Sequence, residues 1–313
     1  MGSIDTSVDW LSHLREDGFC VVPNIISPEA CRKFQNEALD WIESCGFGFD
    51  RNDRSTWTTE KIPPNEKGVF RYHSVPHDAF MWAIRTQSGI HDAFAKIWNT
   101  NDLVVSFDAL NVSFPINPNT GRTDIEPTEA WPHIDQNPRS LETMQLIQGI
   151  ANMAPNGPND GGLVVVKGSH RIHEDYFETI KGFRNVRPPN HNGYPFDMDD
   201  VKWYLGQGCE VVKVCGGQGD LLLWDSRTIH WNCSPLGTQT RFCQYVTYVP
   251  RNLMTEKQLE QKLEVFRARV SAGCQAHENP DIPEQHRRGD PLTRPRQEPA
   301  ESPTILKAIG IRA

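Results

Sequence analysis

Two helical stripes open the chain, and a run of short strand-like segments follows. Val8-Asp9-Trp10-Leu11 leads to Leu14 at helical spacing until Gly18 stops the run, and Phe19 to Val22 is a short apolar stretch. Ser27-Pro28-Glu29 opens a second helix: Ser27 can cap it, Pro28 suits the first helical position, and Phe34, Ala38, Leu39 and Ile42 supply an apolar stripe. Cys45-Gly46 and Gly48 close it, residues 47–68 are polar enough to read as a loop, and a third helix is predicted over Asp78 to Trp98.

From about residue 103 the spacing changes. Leu103-Val104-Val105, Val112-Ser113-Phe114, Met144 to Met153, Leu163 to Val166, Glu210 to Val214, Leu221 to Trp224 and Phe242 to Val249 are apolar or β-branched runs. Gly, Pro and Asn clusters separate them, the mark of a β-sandwich or barrel. A charged amphipathic helix returns over Thr255 to Val270. The pattern therefore predicts a mainly β protein with flanking helices, forming one domain overall. Residues 1–100 are a helical region packed on a β core of residues 101–252, and residues 253–313 are a helix with a Pro- and charge-rich tail. That tail either packs on the core or stays mobile. The Pro- and Gly-containing stretch 175–208, between core strands, is a candidate insertion or lid.

Composition narrows the partners. The chain has 313 residues and a net charge of -8, which argues against nonspecific binding to nucleic acid or anionic lipid. No apolar run approaches the roughly 20 residues of a membrane span. The N-terminus lacks a basic-then-apolar secretory pattern, Met1-Gly2 with Thr6 matches only the loose myristoylation pattern, and Ile311-Arg312-Ala313 is not the peroxisomal tripeptide. A cytoplasmic protein is expected. The eight cysteines include no C-x-x-C pair, so neither a zinc knuckle nor a disulfide framework is indicated. Oligomeric state is not readable, and a homodimer is compatible with the sequence.

The candidate chemistry starts at Trp131-Pro132-His133-Ile134-Asp135. In an extended segment residues two apart share a face, so His133 and Asp135 can grip one metal ion. Residues 219–230 read as a turn, a buried strand and a short loop delivering His230. Two imidazoles and a carboxylate form the facial triad of iron(II) oxygenases, with three positions left open. H-x-D alone is a common pattern, and a loop histidine bonded to its neighbour would read the same way. Arg241 changes the balance: it lies eleven residues after His230 in an apolar strand pattern. A buried guanidinium there calls for an anion, either a structural Asp or Glu or the distal carboxylate of 2-oxoglutarate.

The sequence resembles the phytanoyl-CoA dioxygenase family of iron/2-oxoglutarate oxygenases. The resemblance rests on Trp131 to Gln136, on Asp160-Gly161-Gly162 through Gly168-Ser169-His170-Arg171, on Gly219-Asp220 through His230, and on Arg241. It implies a double-stranded β-helix core, jelly-roll and cupin-like, with helices backing one sheet. It also implies that His170 stabilises the turn after its strand. Several relatives carry a small hydroxyl residue two positions after the distal His, where this chain has Asn232. Asn111 and Gln148, polar within strand-like runs, either contribute to cosubstrate or water binding or lie on the sheet's outer face. Asp135 argues against a halogenase, which leaves that ligand position to halide.

The implied activity is hydroxylation, desaturation or ring closure of a small organic metabolite, with Fe(II), 2-oxoglutarate and O2, giving succinate and carbon dioxide. Secondary metabolism fits better than a fatty acyl-CoA substrate. Candidate substrate contacts are Arg71, Tyr72, His73, Phe107, Asp108, Trp131, Gln136 and Trp231, although aromatics at such positions more often pack. Two other classes stay open: a non-catalytic jelly-roll binding protein, and a zinc hydrolase using the same triad.

Overall fold

The structure, a computed structural model, describes residues 9–181 and 192–312. Part of the 175–208 stretch and the Met1-Gly2/Thr6 pattern lie outside the described residues.

Helix α1 (Trp10–Asp17) starts at Asp9, whose side chain accepts from the Ser12 N–H, and ends at Gly18 with φ 84°. A Cβ at Gly18 would stand 2.3 Å from Thr228 Oγ1 and 2.6 Å from His170 Nδ1, so both the backbone and the close approach require glycine. The Gly18 carbonyl accepts from the Asp225 N–H and from Thr228 Oγ1, each at 2.9 Å. That corner clamps the loop leading into His230.

Helix α2 (Pro28–Ser44) is capped by Ser27, with Pro28 in its first turn. The expected single helix over 78–98 is two, α3 (Ala79–Arg85) and α4 (Ser88–Trp98). Thr86 Oγ1 bonds back to the Trp82 carbonyl at 2.7 Å, and Gln87 leaves helical geometry with ψ 128°. This break lets Ile90, Ala93 and Phe94 bury independently of α3. Further helices are α5 (His173–Tyr176), α6 (Met198–Gly206), α7 (Glu256–Arg267), α8 (Glu284–Arg287) and α9 (Pro303–Ile309).

The strands are β1 (Phe19–Val22), β2 (Val69–Phe70), β3 (Leu103–Val105), β4 (Leu110–Ser113), β5 (His133–Ile134), β6 (Ile147–Asn152) and β7 (Gly162–Lys167). They continue as β8 (Tyr194–Pro195), β9 (Glu210–Lys213), β10 (Leu221–Asp225), β11 (His230–Cys233), β12 (Arg241–Val246) and β13 (Tyr248–Pro250). Six form one sheet in the order β1-β10-β6-β12-β4-β2, five form a second in the order β8-β5-β11-β7-β9, and β13 pairs with β3. Strands β1 and β2, from the N-terminal hundred residues, are the edges of the larger sheet, so the helical region and the β core share one sheet.

Period-two alternation decides what faces where. On the larger sheet Leu221, Leu223, Ile147, Ala151, Phe242, Val246, Leu110 and Val112 join the core formed with α2, α3 and α4. Their alternates Leu222, Trp224, Ile150 and Cys243 meet Leu163 and Val165 of the smaller sheet in a separate inner cluster. Register carries the polar residues to that inner side as well: Gln148 pairs with Trp224, Cys243 with Asn111, and Arg241 with Ser113.

The tail after Gly273 packs on the core. Ala276 accepts from the buried Lys262 Nζ at 2.8 Å, and Gln297 exchanges hydrogen bonds with the Asp78–Ala79 corner. Ser271 Oγ donates to the Arg71 carbonyl at 2.9 Å, and the Ala272 N–H donates to the Phe107 carbonyl at 3.0 Å. All eight cysteines are free. Among the described residues no helix is long and apolar enough to cross a membrane.

Candidate metal centre and its cavity

His133 and His230 stand directly opposite each other across the β5–β11 pair. Asp135 follows β5, held by its own N–H on the Ser226 carbonyl at 2.9 Å. The three side chains bring one ligand atom each within 4.8 Å of one another. Local hydrogen bonds orient them: His133 Nδ1 faces the Trp131 carbonyl at 3.2 Å and His230 Nδ1 faces the Thr228 carbonyl at 2.8 Å. Each Nδ1 therefore carries a proton, and each Nε2 faces Asp135, at 3.8 Å and 3.3 Å respectively.

Gln148 Nε2 donates to Asp135 Oδ2 at 2.7 Å. Burial, followed by the neighbouring His230, holds His133 neutral down to about pH 4. For Asp135 burial works upward, but its contacts with His230, His133 and Gln148 together hold it well below the ordinary carboxylate range. A neutral His133 imidazole and an ionised Asp135 carboxylate are states that suit a divalent metal ion. The donor set fits iron.

The cavity around the triad has a volume of about 340 Å³. Trp131 stacks on His133, with ring centroids 4.5 Å apart at 11°, and Lys67 Nζ lies 4.0 Å from the centre of the Trp131 ring. Val69, Ile150, Leu163, Trp224 and Tyr245 supply apolar wall, while Gly273 and Cys274 enter from the C-terminal segment. Burial and the nearby Asp135 and Asp108 push the Cys274 thiol well above its ordinary value, so it stays a neutral thiol.

An adjoining cavity of about 400 Å³ shares Lys67 and Asn232 with the first and contains Arg241. Arg241 is 4% exposed; its Nη1 donates to Asn232 Oδ1 at 3.1 Å, and its Nε has no partner. Asn232 Nδ2 donates in turn to the Tyr245 hydroxyl at 3.1 Å. Asn111, opposite Cys243, accepts from Ser113 Oγ at 2.8 Å and leaves its buried Nδ2 without a partner. Buried donors with nothing to donate to are costly, and an anion between the metal site and Arg241 would satisfy the Arg241 Nε, whereas Asn111 lines neither cavity.

Of the residues singled out as substrate contacts, Arg71, Asp108 and Trp131 line the iron cavity. The other five do not. Tyr72 and His73 line a separate outer hollow, with Arg269 and Leu292 of the C-terminal segment. Phe107 is buried against His77, Trp82 and Phe266. Gln136 spends its side chain on the Ser140 and Thr143 carbonyls, the Gln145 N–H and Ser226 Oγ. Trp231 alternates outward from His230 into a different core cluster with Phe177 and Tyr204. His170 Nε2 faces the Arg15 carbonyl at 3.0 Å, so it ties the turn after β7 to α1 rather than closing the turn on itself. Sequence reasoning missed Lys67, Tyr245 and Cys274, which reach the cavity from segments far apart in the chain.

The Gln148 contact yields a direct expectation. Gln148→Leu keeps the side-chain volume and removes the bond that orients Asp135. Iron(II) affinity, measured by anaerobic titration, drops about 10- to 100-fold with little change in folding.

Comparison with known proteins follows the same lines. Residues 14–235 match the family described as Phytanoyl-CoA dioxygenase (PhyH). The chain is 37% identical over 261 residues to "Ava biosynthesis cluster protein O" of Aspergillus versicolor, covering 82% of each chain. Among solved structures, EctD from S. alaskensis with bound Fe is similar with a TM-score of 0.54 at 16% identity, covering 96% of this chain and 90% of that one. The epimerase SnoN in complex with Fe3+, alpha ketoglutarate and nogalamycin RO is similar with a TM-score of 0.51 at 14% identity, covering 77% and 82%. These two likenesses carry the fold, a cupin-like jelly roll with flanking helices. Given the extent of the family match and its agreement with the His-Asp-His geometry, the chain belongs to the phytanoyl-CoA dioxygenase family and is a non-haem iron, 2-oxoglutarate-dependent dioxygenase.

Proposed function

We propose that His133, Asp135 and His230 are the iron ligands, that Arg241 receives the distal carboxylate of 2-oxoglutarate, and that the enzyme hydroxylates a small organic metabolite. Desaturation and ring closure are the alternative outcomes at the same site. The observation that carries this reading is the convergence of the triad beside a cavity leading to a buried, under-bonded arginine. The A. versicolor relative, named for a biosynthesis cluster, supports a role in secondary metabolism.

The metal, when bound, supplies dioxygen activation coupled to oxidative decarboxylation of 2-oxoglutarate to succinate and carbon dioxide. The chain's own residues position and protect. The Trp131 and Thr228 carbonyls keep both imidazoles in the ligating tautomer, and Gln148 fixes the carboxylate. Arg241 is the donor for the 2-oxoglutarate carboxylate, with Asn232 holding the guanidinium in place. Trp131, Trp224, Ile150 and Leu163 keep water away from the reacting centre.

The test is metal-dependent turnover. Apoprotein given iron(II), 2-oxoglutarate and oxygen forms succinate, and the same protein given zinc(II) forms none. Succinate that appears equally with zinc, or with neither metal, would remove the assignment, and zinc-dependent hydrolysis without succinate would favour a hydrolase.

A further inference from the structure

Four charged residues of the iron cavity, Glu66, Lys67, Arg71 and Asp108, are used by neither metal nor cosubstrate in this reading; Asp108 and Arg71 are the two with a bearing on the head group. Asp108, in the connection between β3 and β4, is 4% exposed. Its Oδ1 accepts from the Ala109 N–H at 2.7 Å, and its carboxylate forms part of the cavity wall. Arg71, just after β2, lines both this cavity and the outer hollow, so it stands at the mouth. Burial raises the Asp108 carboxyl above its ordinary value, the charge of Arg71 works against that rise, and no ion pair closes between the two among the described residues. A buried carboxylate left with one backbone donor is costly unless something else donates to it.

The alternatives can be weighed by charge. Glu66 and Asp108 balance Lys67 and Arg71 on the wall. Iron(II), Asp135, dianionic 2-oxoglutarate and Arg241 likewise cancel. A substrate anion brought to this wall faces Asp108 in a poorly hydrated space, and a substrate cation faces Arg71 and Lys67. A neutral group with a donor and an acceptor side by side meets both residues without an unpaired charge. We infer that the substrate carries a carboxamide or lactam, whose N–H donates to Asp108 and whose carbonyl accepts from Arg71. Its apolar body then lies against Trp131 and Val69. Asp108 and Arg71 set specificity by fixing which carbon faces the metal.

This inference rests on the cavity being the 2-oxoglutarate site, so the experiment measures the two separately. Protein is loaded anaerobically with iron(II), and 2-oxoglutarate is titrated calorimetrically. The loaded protein is then titrated with phenylacetamide, phenylacetate and phenethylamine, which share one apolar body and differ in head group. The amide binds at least about tenfold more tightly than the acid or the amine, the difference expected of one hydrogen bond to a charged group. In Asp108→Asn, which removes the negative charge, the gap between amide and acid closes by about tenfold. Equal binding of all three, preference for the acid or amine, or no binding of the amide overturns the head-group inference while 2-oxoglutarate still binds. Failure of 2-oxoglutarate itself to bind overturns both. The rank order in the unaltered enzyme needs no variant to fold.

Discussion

Alanine at His133 strips iron from the enzyme and ends succinate formation. The imidazole is one of three groups whose ligand atoms converge within 4.8 Å, and no other histidine joins that group among the described residues. A residue that only orients a ligand is typically worth about 10- to 100-fold in metal affinity, so loss of the ligand itself exceeds that range. Folding is affected far less. His133 sits in a two-residue strand and its side chain remains 20% exposed, so the change in stability stays within roughly 1–2 kcal/mol. Metal analysis of anaerobically purified protein, circular dichroism and a succinate assay read the three effects apart. A folded His133→Ala protein that retains iron and turns over at the normal rate would falsify the ligand assignment.

Arginine 241 has the second large expected effect, and it separates binding from stability. With 2-oxoglutarate present the guanidinium would sit in a charge-assisted, two-pronged pair inside the protein. Truncating one side of such a pair costs about 2–5 kcal/mol. Arg241→Met therefore raises KM for 2-oxoglutarate by at least about 30-fold, with a smaller change in kcat once cosubstrate saturates. In cosubstrate-free protein the sign reverses. There the charge is buried with Asn232 as its hydrogen-bond partner, so a methionine of similar length is neutral or stabilising. Adding 2-oxoglutarate to the iron-loaded native enzyme at about 100 times its Kd stabilises it by about 2.7 kcal/mol, and the variant gains much less at the same concentration. Thermal melts with and without cosubstrate measure this directly. A variant with unchanged KM and an unchanged melting shift would show that Arg241 is structural.

Much of the site could be read before any coordinates because its signals are local. His133 and Asp135 share a face through simple strand alternation, and His230 opens the strand that the 219–230 pattern leads to. Arg241 stood out because a permanent charge within an apolar strand run demands explanation. The short apolar runs likewise matched strands, because each carries its own turn residues at both ends. The break between α3 and α4 was not legible: it falls at Thr86-Gln87, which contain neither glycine nor proline, and Thr86 Oγ1 bonds back to the Trp82 carbonyl at the end of α3.

The wall of the cavity beside the triad was the least legible part. Neighbours in sequence were natural candidates for neighbours in space, yet alternation sends Trp231 away from the cavity and local hydrogen bonds consume Gln136. Lys67, Asp108, Tyr245 and Cys274 meet there because β2, β4 and β12 lie side by side and the segment after α7 is stitched to Arg71 and Phe107. The amino-acid order alone was enough to specify the candidate metal-binding residue types, their spacing and the strand periods, because those depend on contacts a few residues long. Which charged groups line the cavity beside the triad was decided by strand order and by the docking of the C-terminal segment. Those are long-range pairings, and residues at 67, 108, 245 and 274 carry no local mark of one another.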